Sequence, residues 1–396
     1  MELTAAGCEA AFGAQLNDIL SDLHQHPELS MEEVRTTKKL REILEDLGLE
    51  LIDLGEKSGV LARLPGGEGA TVALRSDIDG IIQNEQTDRP DPSKNKGCMH
   101  GCGHDVHMTS LLGAAMLLSS VKETLSGDVF FLFQPAEEAL TGAKYLIEEC
   151  GLFEKVPIDA LFGLHNDPAL PVGTIGVKYG PLMANKDVFN VRFIGRRGHT
   201  STPQKNTDPI VAAAAFIQSA QTIISRNTDP FDSAVLTFCQ VNAGDEFNLG
   251  VEDAFLSGDI RTLSEPTRDR LLERFHEIAE DTARMYECAL DYDCHRIVPG
   301  VENAKPMYTI AKEAALATVD AAHVVEPAVH LAAEDFALYQ AYVPTFFYFL
   351  GSGRPGKENA PWHDARFYAD PKAPFYGAAL LAQSVLVYQK SGQPKD

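Results

Sequence analysis

Short apolar runs alternate with helical patterns in the first part of the chain, and this alternation restricts the possible folds more than any other feature. The segments 71–78 (TVALRSDI) and 128–134 (DVFFLFQ) are rich in β-branched and aromatic residues and predict buried strands. Residues 105–121 between them have the length and the apolar spacing of a helix. Strands that alternate with helices indicate a mostly parallel α/β sheet.

The middle of the chain has a different order of elements, which predicts a second domain. Its patterns follow the order β-α-β-β-α-β of a ferredoxin-like unit. They lie at 187–194, 208–226, 234–241, 254–262, 265–286 and 288–297. The α/β pattern then resumes near 304–318, 345–351 and 373–389. We therefore predict an α/β domain in two parts, 1–184 and 298–396, with an α+β ferredoxin-like domain inserted at 185–297.

Charge and hydropathy exclude several classes of function. The chain has 57 acidic and 34 basic residues and a formal charge of −23, so its surface should repel nucleic acids and anionic membranes. The N-terminus lacks the pattern of a signal peptide, and no apolar run approaches the roughly 20 residues that a membrane span needs. We expect a soluble, cytoplasmic protein.

The seven cysteines are odd in number and scattered along the chain, unlike the dense framework of small secreted domains. Most are expected to be reduced thiols in or near the core. Cys288 and Cys294 could ligate a metal together, but no second pair lies near them in the sequence. Two cysteines on a strand are the simpler interpretation.

The run GCGHDVH at 101–107 places Cys102 between two glycines and directly before a predicted helix. The glycines allow a sharp turn, and the helix N-terminus favours a thiolate. A thiolate and the imidazole of His104 can share one divalent ion. This spacing is not a known zinc signature, so a purely structural turn remains open.

Glu137 and Glu138 follow the strand at 128–134 in the run QPAEE. Adjacent side chains at a strand end diverge, so one carboxylate could bind a metal while the other acts as a general base. A glutamate pair that simply complements the N-terminus of a helix is the commoner explanation of such a pattern.

Two further histidines lie near predicted strand ends. His165 follows an apolar run in LFGLHNDP, and His363 lies beside the only tryptophan in PWHD. Sites in open α/β sheets form at the carboxyl ends of strands, so thiol, imidazole and carboxylate groups could meet there around zinc or a similar ion.

Three other groups of residues also have patterns that could indicate a site. The segment 351–356 (GSGRPG) has the glycine spacing of a dinucleotide-binding loop, but no helix follows it, which excludes that role. Residues 98–104 (CMHGCGH) could form a closed zinc knuckle from Cys98, His100, Cys102 and His104, although this would leave the strand-end groups unexplained. His24 and His26 are predicted to be structural.

A series of short motifs resembles the metal-dependent amidohydrolase branch of the aminoacylase and carboxypeptidase superfamily, which includes hippurate hydrolases and auxin-conjugate hydrolases. The resemblance runs from about residue 15 to residue 390. The motifs are, in order, LHQHPELSMEE, ALRSDIDG, GCGHDVHM, QPAEE, GLHNDP, GHTSTP, GDIRT, AEDF and PWHD.

The resemblance implies a catalytic α/β domain with two divalent metal ions and an inserted lid domain through which chains form a homodimer or a dimer-based homo-oligomer. Zinc, manganese, cobalt and nickel all remain open as the metal. The implied ligands are Cys102, His104, Glu138, His165 and His363.

The resemblance also implies catalytic roles. Glu137 would be the general base, and His199 of the lid would reach the partner's site and stabilise an oxyanion. Asn248 and Arg261 would hold a substrate carboxylate, although a surface salt bridge fits Arg261 nearly as well. Asp79 would orient a ligand imidazole.

The implied activity is hydrolysis of the amide bond of N-acyl amino acids. A dipeptidase or carboxypeptidase acting on short peptides is the first alternative, and a non-catalytic zinc-binding protein is the second. The chain departs from the family pattern at Ile81, Ile82 and the segments 247–253 and 333–336, which makes the substrate harder to predict than the reaction.

Overall fold

The protein is described here from a computed structural model that covers residues 2–391. The chain forms two compact units. The first comprises the residues up to Gly180, Glu302–Ala328 and the residues from Leu338 onwards, and the second comprises Pro181–Val301 and Val329–Ala337.

The strands and α-helices are numbered in chain order. The strands are β1 Glu50–Ile52, β2 Val60–Leu64, β3 Val72–Asp77, β4 Ile81–Ile82, β5 Cys98–Met99, β6 Val129–Gln134, β7 Ala160–Pro171, β8 Ile175–Gly176, β9 Gly180–Pro181, β10 Asn185–Ile194, β11 Ala234–Ala243, β12 Asp253–Thr262, β13 Ala289–Val298, β14 Glu302–Asn303, β15 Val324–Val325 and β16 Thr345–Gly353. The helices are α1 Ala5–Gln25, α2 Val34–Asp46, α3 His104–Ser120, α4 Gly142–Lys144, α5 Leu152–Lys155, α6 Pro209–Thr222, α7 Glu265–Met285, α8 Lys305–Thr318 and α9 Ala373–Ser391.

An eight-stranded sheet with the order β1-β2-β6-β3-β7-β16-β8-β15 forms the centre of the first unit. Its four middle strands run parallel, since β3 pairs in parallel with β6 and β7, and β7 with β16. Every residue of β3, β6 and β16 is buried, as expected for strands covered on both faces. The parallel strands bring their carboxyl ends to one edge of the sheet.

Helix α3 lies at the centre of the first unit. It packs against α1, α9 and β3, and all its residues from His104 to Leu118 are buried. The sequence predicts this helix at 105–121, and the structure starts it one residue earlier, at His104. That shift places a histidine side chain on the first turn, at the edge where the parallel strands end.

The second unit is an antiparallel sheet with the order β11-β12-β10-β13, packed with α6 and α7. Buried residues alternate along β10 and β12, so one face of the sheet meets the helices. The core between them is rich in aromatic rings, among them Phe189, Phe193, Phe216 and Phe275. The fold class predicted from the sequence, an α/β domain with a β-α-β-β-α-β insertion, is confirmed.

Two features of the fold were not predicted. Helix α1 occupies Ala5–Gln25, a range for which the sequence analysis gives no bounds, and helix α6 ends in a wider π-helical turn at Ile223–Asn227. Within residues 2–391, none of the helices combines the length and the apolar character needed to cross a membrane.

Candidate metal centre

The five predicted metal ligands come together at the carboxyl edge of the parallel strands. Two groups made up only of these residues have all their donor atoms within 4.8 Å of one another, and Cys102 belongs to both. The first group is Cys102, His104 and His165. The second is Cys102, Glu138 and His363.

Different elements supply these side chains. Cys102 and His104 lie at the N-terminus of α3, where Gly103 has a φ of 87°, a left-handed conformation that glycine adopts without strain. His165 lies inside the long strand β7, rather than after it as the sequence suggested. His363 lies in the loop after β16 and is anchored by a 2.8 Å hydrogen bond from its own amide to the carbonyl oxygen of Gly101.

Short distances connect the donors within each group. The Cys102 Sγ and His165 Nε2 atoms are 3.4 Å apart, and the His363 Nε2 and Glu138 Oε2 atoms are 3.2 Å apart. Such separations are those of ligands that share an ion. Cys102 is therefore placed where one thiolate could contact both ions.

Hydrogen bonds fix the tautomers of two of the histidines. The Nδ1 atom of His104 donates to the backbone oxygen of Asp79 at 2.9 Å, and the Nδ1 atom of His165 donates to the backbone oxygen of Asn166 at 2.8 Å. In a neutral ring, the proton on Nδ1 leaves the Nε2 lone pair directed at the cluster. This is the tautomer that a metal ligand requires.

The buried polar atoms of the cluster fit cations. The His104 Nε2 and Glu138 Oε1 atoms are buried and have no hydrogen-bond partner among residues 2–391. Buried polar groups are normally paired, so these two need a partner that the side chains around them do not supply. Thiol, imidazole and carboxylate donors together suit a late first-row divalent ion.

The pKa shifts at the cluster also indicate a site that binds cations. Burial opposes a proton on His104, but Asp77 and Asp79 raise the pKa of this imidazole to about 10, so the site favours positive charge. Burial, followed by the charges of Glu138 and Glu137, raises the pKa of the Cys102 thiol well above its ordinary value. A divalent ion at the cluster would oppose this shift and favour the thiolate.

Glu137 lies beside the ligands, in the same tight loop as Glu138. Its Oε2 atom is 3.9 Å from the His104 Nε2 atom, and the residue is 5% exposed. The loop holds both glutamates ahead of α4, which begins only at Gly142. The interpretation of this pair as charge complementation of a helix N-terminus is therefore wrong.

Asp79 contacts both a ligand side chain and a ligand backbone. Its Oδ1 atom is 3.2 Å from the His104 Nδ1 atom, and its Oδ2 atom accepts from the Glu138 amide at 3.0 Å. The Oδ2 atom also accepts from the Ser30 hydroxyl at 2.7 Å. The geometry fits the predicted orienting role.

A second buried network behind the ligands was missed in the sequence. The Nδ1 atom of His107 is 2.7 Å from Asp77 Oδ1, and its Nε2 atom accepts from the Asn166 amide at 2.9 Å. Asp77 also pairs with Arg75 at 2.9 Å. Both nitrogens of His107 are engaged, so it braces the cluster. The three-residue spacing from His104, which puts both on one face of α3, was the available signal.

The other predicted site residues lie in the second unit. His199 and Asn248 are exposed, and the His199 Nδ1 atom accepts from the Ser201 amide at 3.1 Å, so the proton of a neutral ring is on Nε2. Arg261 donates to Asp259 at 2.9 Å and to the Leu331 carbonyl oxygen at 3.0 Å. The salt bridge that was the alternative interpretation of Arg261 is thus present.

Several other cysteines and histidines considered in the sequence analysis lie outside the cluster. Within the described part of the chain, neither Cys98 nor His100 belongs to any group of metal-ligating side chains, and the same holds for Cys288 and Cys294. The closed knuckle at 98–104 is therefore not formed. His24 is buried and bonded to Asp105 at 2.7 Å, as a structural residue would be.

The fold and this cluster of donors beside a carboxylate define a metal-dependent hydrolase. The chain belongs to peptidase family M20/M25/M40, whose sequence model matches residues 73–386. This confirms the family resemblance seen in the motifs.

Individual relatives match over nearly the whole chain. An N-acetylcysteine deacetylase of Bacillus subtilis (strain 168) is 39% identical over 385 residues, which cover 96% of this chain and 98% of the relative. The IAA-amino acid hydrolase ILR1-like 2 of Arabidopsis thaliana is 33% identical, with 94% and 85% covered. A crystal structure described as a dinuclear metal-binding peptidase of the M20 family, from Bacillus subtilis, has a TM-score of 0.85 at 36% identity, with 97% and 99% covered.

Proposed function

We propose that this protein hydrolyses the amide bond of N-acyl amino acids and releases a carboxylic acid and a free amino acid. One observation carries the proposal: two groups of metal-ligating donors share Cys102, and the carboxylate of Glu137 lies beside them. The relatives named as N-acetylcysteine deacetylase and IAA-amino acid hydrolase support the substrate class, since both names describe N-acyl amino acids.

Two divalent ions would be held by Cys102, His104 and His165 on one side and by Cys102, Glu138 and His363 on the other. When bound, they would polarise the amide carbonyl and make a water molecule more acidic. The donor set suits zinc, manganese, cobalt or nickel, and the identity of the ion stays a prediction.

The chain's own residues carry the proton transfers. The Glu137 carboxylate takes a proton from the attacking water, whose oxygen forms a bond to the acyl carbon. The same carboxyl group then delivers that proton to the amide nitrogen as the carbon–nitrogen bond breaks. His199 would donate from Nε2 to the developing oxyanion, which fits the hydrogen bond that its Nδ1 atom accepts. Asn248 and Arg261 stay weaker candidates for binding the substrate carboxylate.

We also propose a homodimer formed through the second unit. Strand β11 is an edge of its sheet, and its residues from Gln240 to Ala243 are exposed. An open edge strand can pair with a second copy of itself. Light scattering on the purified protein should give twice the chain mass, whereas a single chain mass at micromolar concentration would contradict the dimer. The cytoplasmic location stays a prediction.

The test of the function is a substrate panel with metal-stripped protein. N-acetyl, N-benzoyl and indoleacetyl amino acids are compared with dipeptides after zinc, manganese, cobalt or nickel is restored. We expect metal-dependent hydrolysis of the N-acyl amino acids and a loss of at least about 100-fold in kcat for Glu137→Gln, with metal content unchanged. Preference for dipeptides would overturn the substrate, and an active Glu137→Gln would overturn the mechanism.

A further inference from the structure

Glu33 is a fully buried carboxyl group that no step of the proposed reaction uses. It lies directly before α2 and is 0% exposed. Its Oε1 atom accepts a hydrogen bond from the amide of Ala136 at 2.8 Å, and its Oε2 atom accepts from the hydroxyl of Ser58 at 2.7 Å. A buried carboxyl group is costly unless such bonds satisfy it, so its two partners account for its position.

The loop that Glu33 contacts is tightly folded and carries the candidate base. Ala136, the residue before Glu137, has a φ of 54°, and Leu140 has a φ of 53°. Residues other than glycine rarely adopt this left-handed backbone conformation, because their Cβ atom then crowds the backbone. At Gly142 a Cβ atom would lie 1.6 Å from the carbonyl oxygen of Pro135, so the loop closes on itself with no space to spare. Such a conformation persists only where surrounding contacts hold it.

We propose that Glu33 is a positioning residue for Glu137. By accepting the hydrogen bond from the Ala136 amide, it holds that residue in its left-handed conformation and so fixes the direction in which the Glu137 side chain leaves the loop. The proposal rests on the role of Glu137 as the base in the proposed function.

The segment that carries Glu33 also supports the neighbouring ligand. Three residues earlier, Ser30 donates to Asp79 Oδ2 at 2.7 Å, and the same oxygen accepts from the amide of Glu138 at 3.0 Å. One short segment, residues 30–33, is thus hydrogen-bonded towards both glutamates of the loop, by two separate routes. The route through Glu33 ends at the base, and the route through Ser30 ends at a metal ligand.

The chemistry of Glu33 defines the variants. One oxygen of Glu33 must accept from the Ala136 amide, and the other lies against the Ser58 hydroxyl, a group that can donate or accept a hydrogen bond. Glutamine keeps the oxygen that accepts from Ala136, and its NH2 group can donate to the oxygen of the Ser58 hydroxyl. Methionine has a similar length and suits the buried space, but it has no oxygen to accept the Ala136 amide proton. Glu32, the adjacent and exposed glutamate, provides a matched control.

The experiment compares Glu33→Met, Glu33→Gln and Glu32→Met in the metal-loaded enzyme and in the metal-free protein. We expect Glu33→Met to lower kcat by at least about tenfold with KM within threefold, because substrate binding is intact and the base is misplaced. Glu33→Gln should restore kcat to within about threefold of the wild type, and Glu32→Met should match the wild type. In metal-free protein, hydrogen exchange of a peptide that spans residues 136–142 should be at least tenfold faster in Glu33→Met than in Glu33→Gln.

A double variant separates positioning from a general loss of structure. If Glu33 acts through the base, Glu33→Met should lower the residual activity of Glu137→Gln by less than twofold. Should Glu33→Met not fold, Glu33→Asp carries the same test, since its shorter side chain cannot reach the Ala136 amide.

Three results would overturn the proposal: wild-type kcat in Glu33→Met, an equal loss in Glu33→Gln, or unchanged exchange of the loop. Failure of the proposed function would look different. In that case the wild type would not hydrolyse N-acyl amino acids, or Glu137→Gln would stay active, while the exchange of residues 136–142 would still show whether Glu33 holds the loop.

Discussion

The Nδ1 atom of His104 lies 2.9 Å from the backbone carbonyl oxygen of Asp79 and 3.2 Å from the carboxylate of the same residue. This contact sets the tautomer in which the His104 Nε2 atom faces the cluster. The second oxygen of the same carboxylate accepts from the amide of Glu138. Asp79 therefore orients two of the five candidate ligands. It contacts the imidazole ring of His104 and the backbone amide of Glu138.

Asp79→Asn is expected to weaken metal binding without removing a ligand. An amide has one oxygen acceptor where the carboxylate has two, so either the side-chain contact to the His104 ring or the hydrogen bond from the Glu138 amide is lost. Changes of this kind behind a metal ligand typically cost about 10- to 100-fold in affinity. Competition with a chromogenic chelator measures the change, and Asp46→Asn, at an exposed site, is the control. Affinity within twofold of the wild type would show that the backbone contact of Asp79 is sufficient.

His107→Ala should destabilise the protein and leave its metal content unchanged. Both ring nitrogens of His107 are engaged, by Asp77 and by the amide of Asn166, and the residue is 1% exposed. Loss of these bonds and of the ring should cost about 2–4 kcal/mol of the free energy of unfolding. Urea denaturation and metal analysis check the two parts separately. His104→Ala is the contrasting variant, since it should lose bound metal. A fall in metal content in His107→Ala alone would identify His107 as a ligand.

The fold was largely predictable because its signals are local. The runs that became β3, β6 and β16 each contain a stretch of consecutive apolar residues and are bounded by turn residues, and they predict strands covered on both faces. The alternating pattern of β10 likewise predicts a sheet with one buried face. The bounds of helix α1 were not predicted, although its structure is regular over Ala5–Gln25.

The candidate ligands were predicted from motifs, but the groups that support them were not. Glu33 and Ala136 are hydrogen-bonded across a separation of 103 residues, and Asp79 and Glu138 across 59. A pattern within a short stretch of sequence cannot predict a contact between residues so far apart along the chain. The helix N-terminus beside Cys102 is visible in the sequence, whereas the burial and the neighbouring carboxylates that raise the pKa of its thiol appear only in the fold.

The pH dependence of stability should include a contribution from Glu85. Burial opposes its ionisation, but hydrogen bonds from His24, the Ser93 amide and the Thr87 hydroxyl lower the pKa of Glu85 to about 2, from an ordinary 4.5. A carboxyl group with a lowered pKa stabilises the fold above its unfolded pKa and loses that contribution as the pH falls towards its folded pKa. The contribution near pH 6 is about 3 kcal/mol.

Urea denaturation of Glu85→Gln and the wild type at several pH values tests this. The difference in unfolding free energy should be largest near pH 6 and should narrow by about 1 kcal/mol by pH 3.5. Glu68→Gln, at an exposed position, should show no such narrowing. A difference that stayed constant from pH 6 to pH 3.5 would mean that the pKa of Glu85 is not lowered in the folded protein.

The assignment of His199 to the partner's site predicts complementation between two inactive variants. In a mixed dimer of Glu137→Gln and His199→Ala, one site combines an intact Glu137 from one chain with an intact His199 from the other. Random mixing makes about half of the dimers mixed, each with one working site of two, so about one quarter of wild-type activity should return. Each variant alone should have low activity, and His295→Ala, at an exposed site in the same unit, should be fully active. If His199 instead acts within its own chain, every site in the mixture lacks one of the two groups, and mixing by unfolding and refolding together would restore nothing.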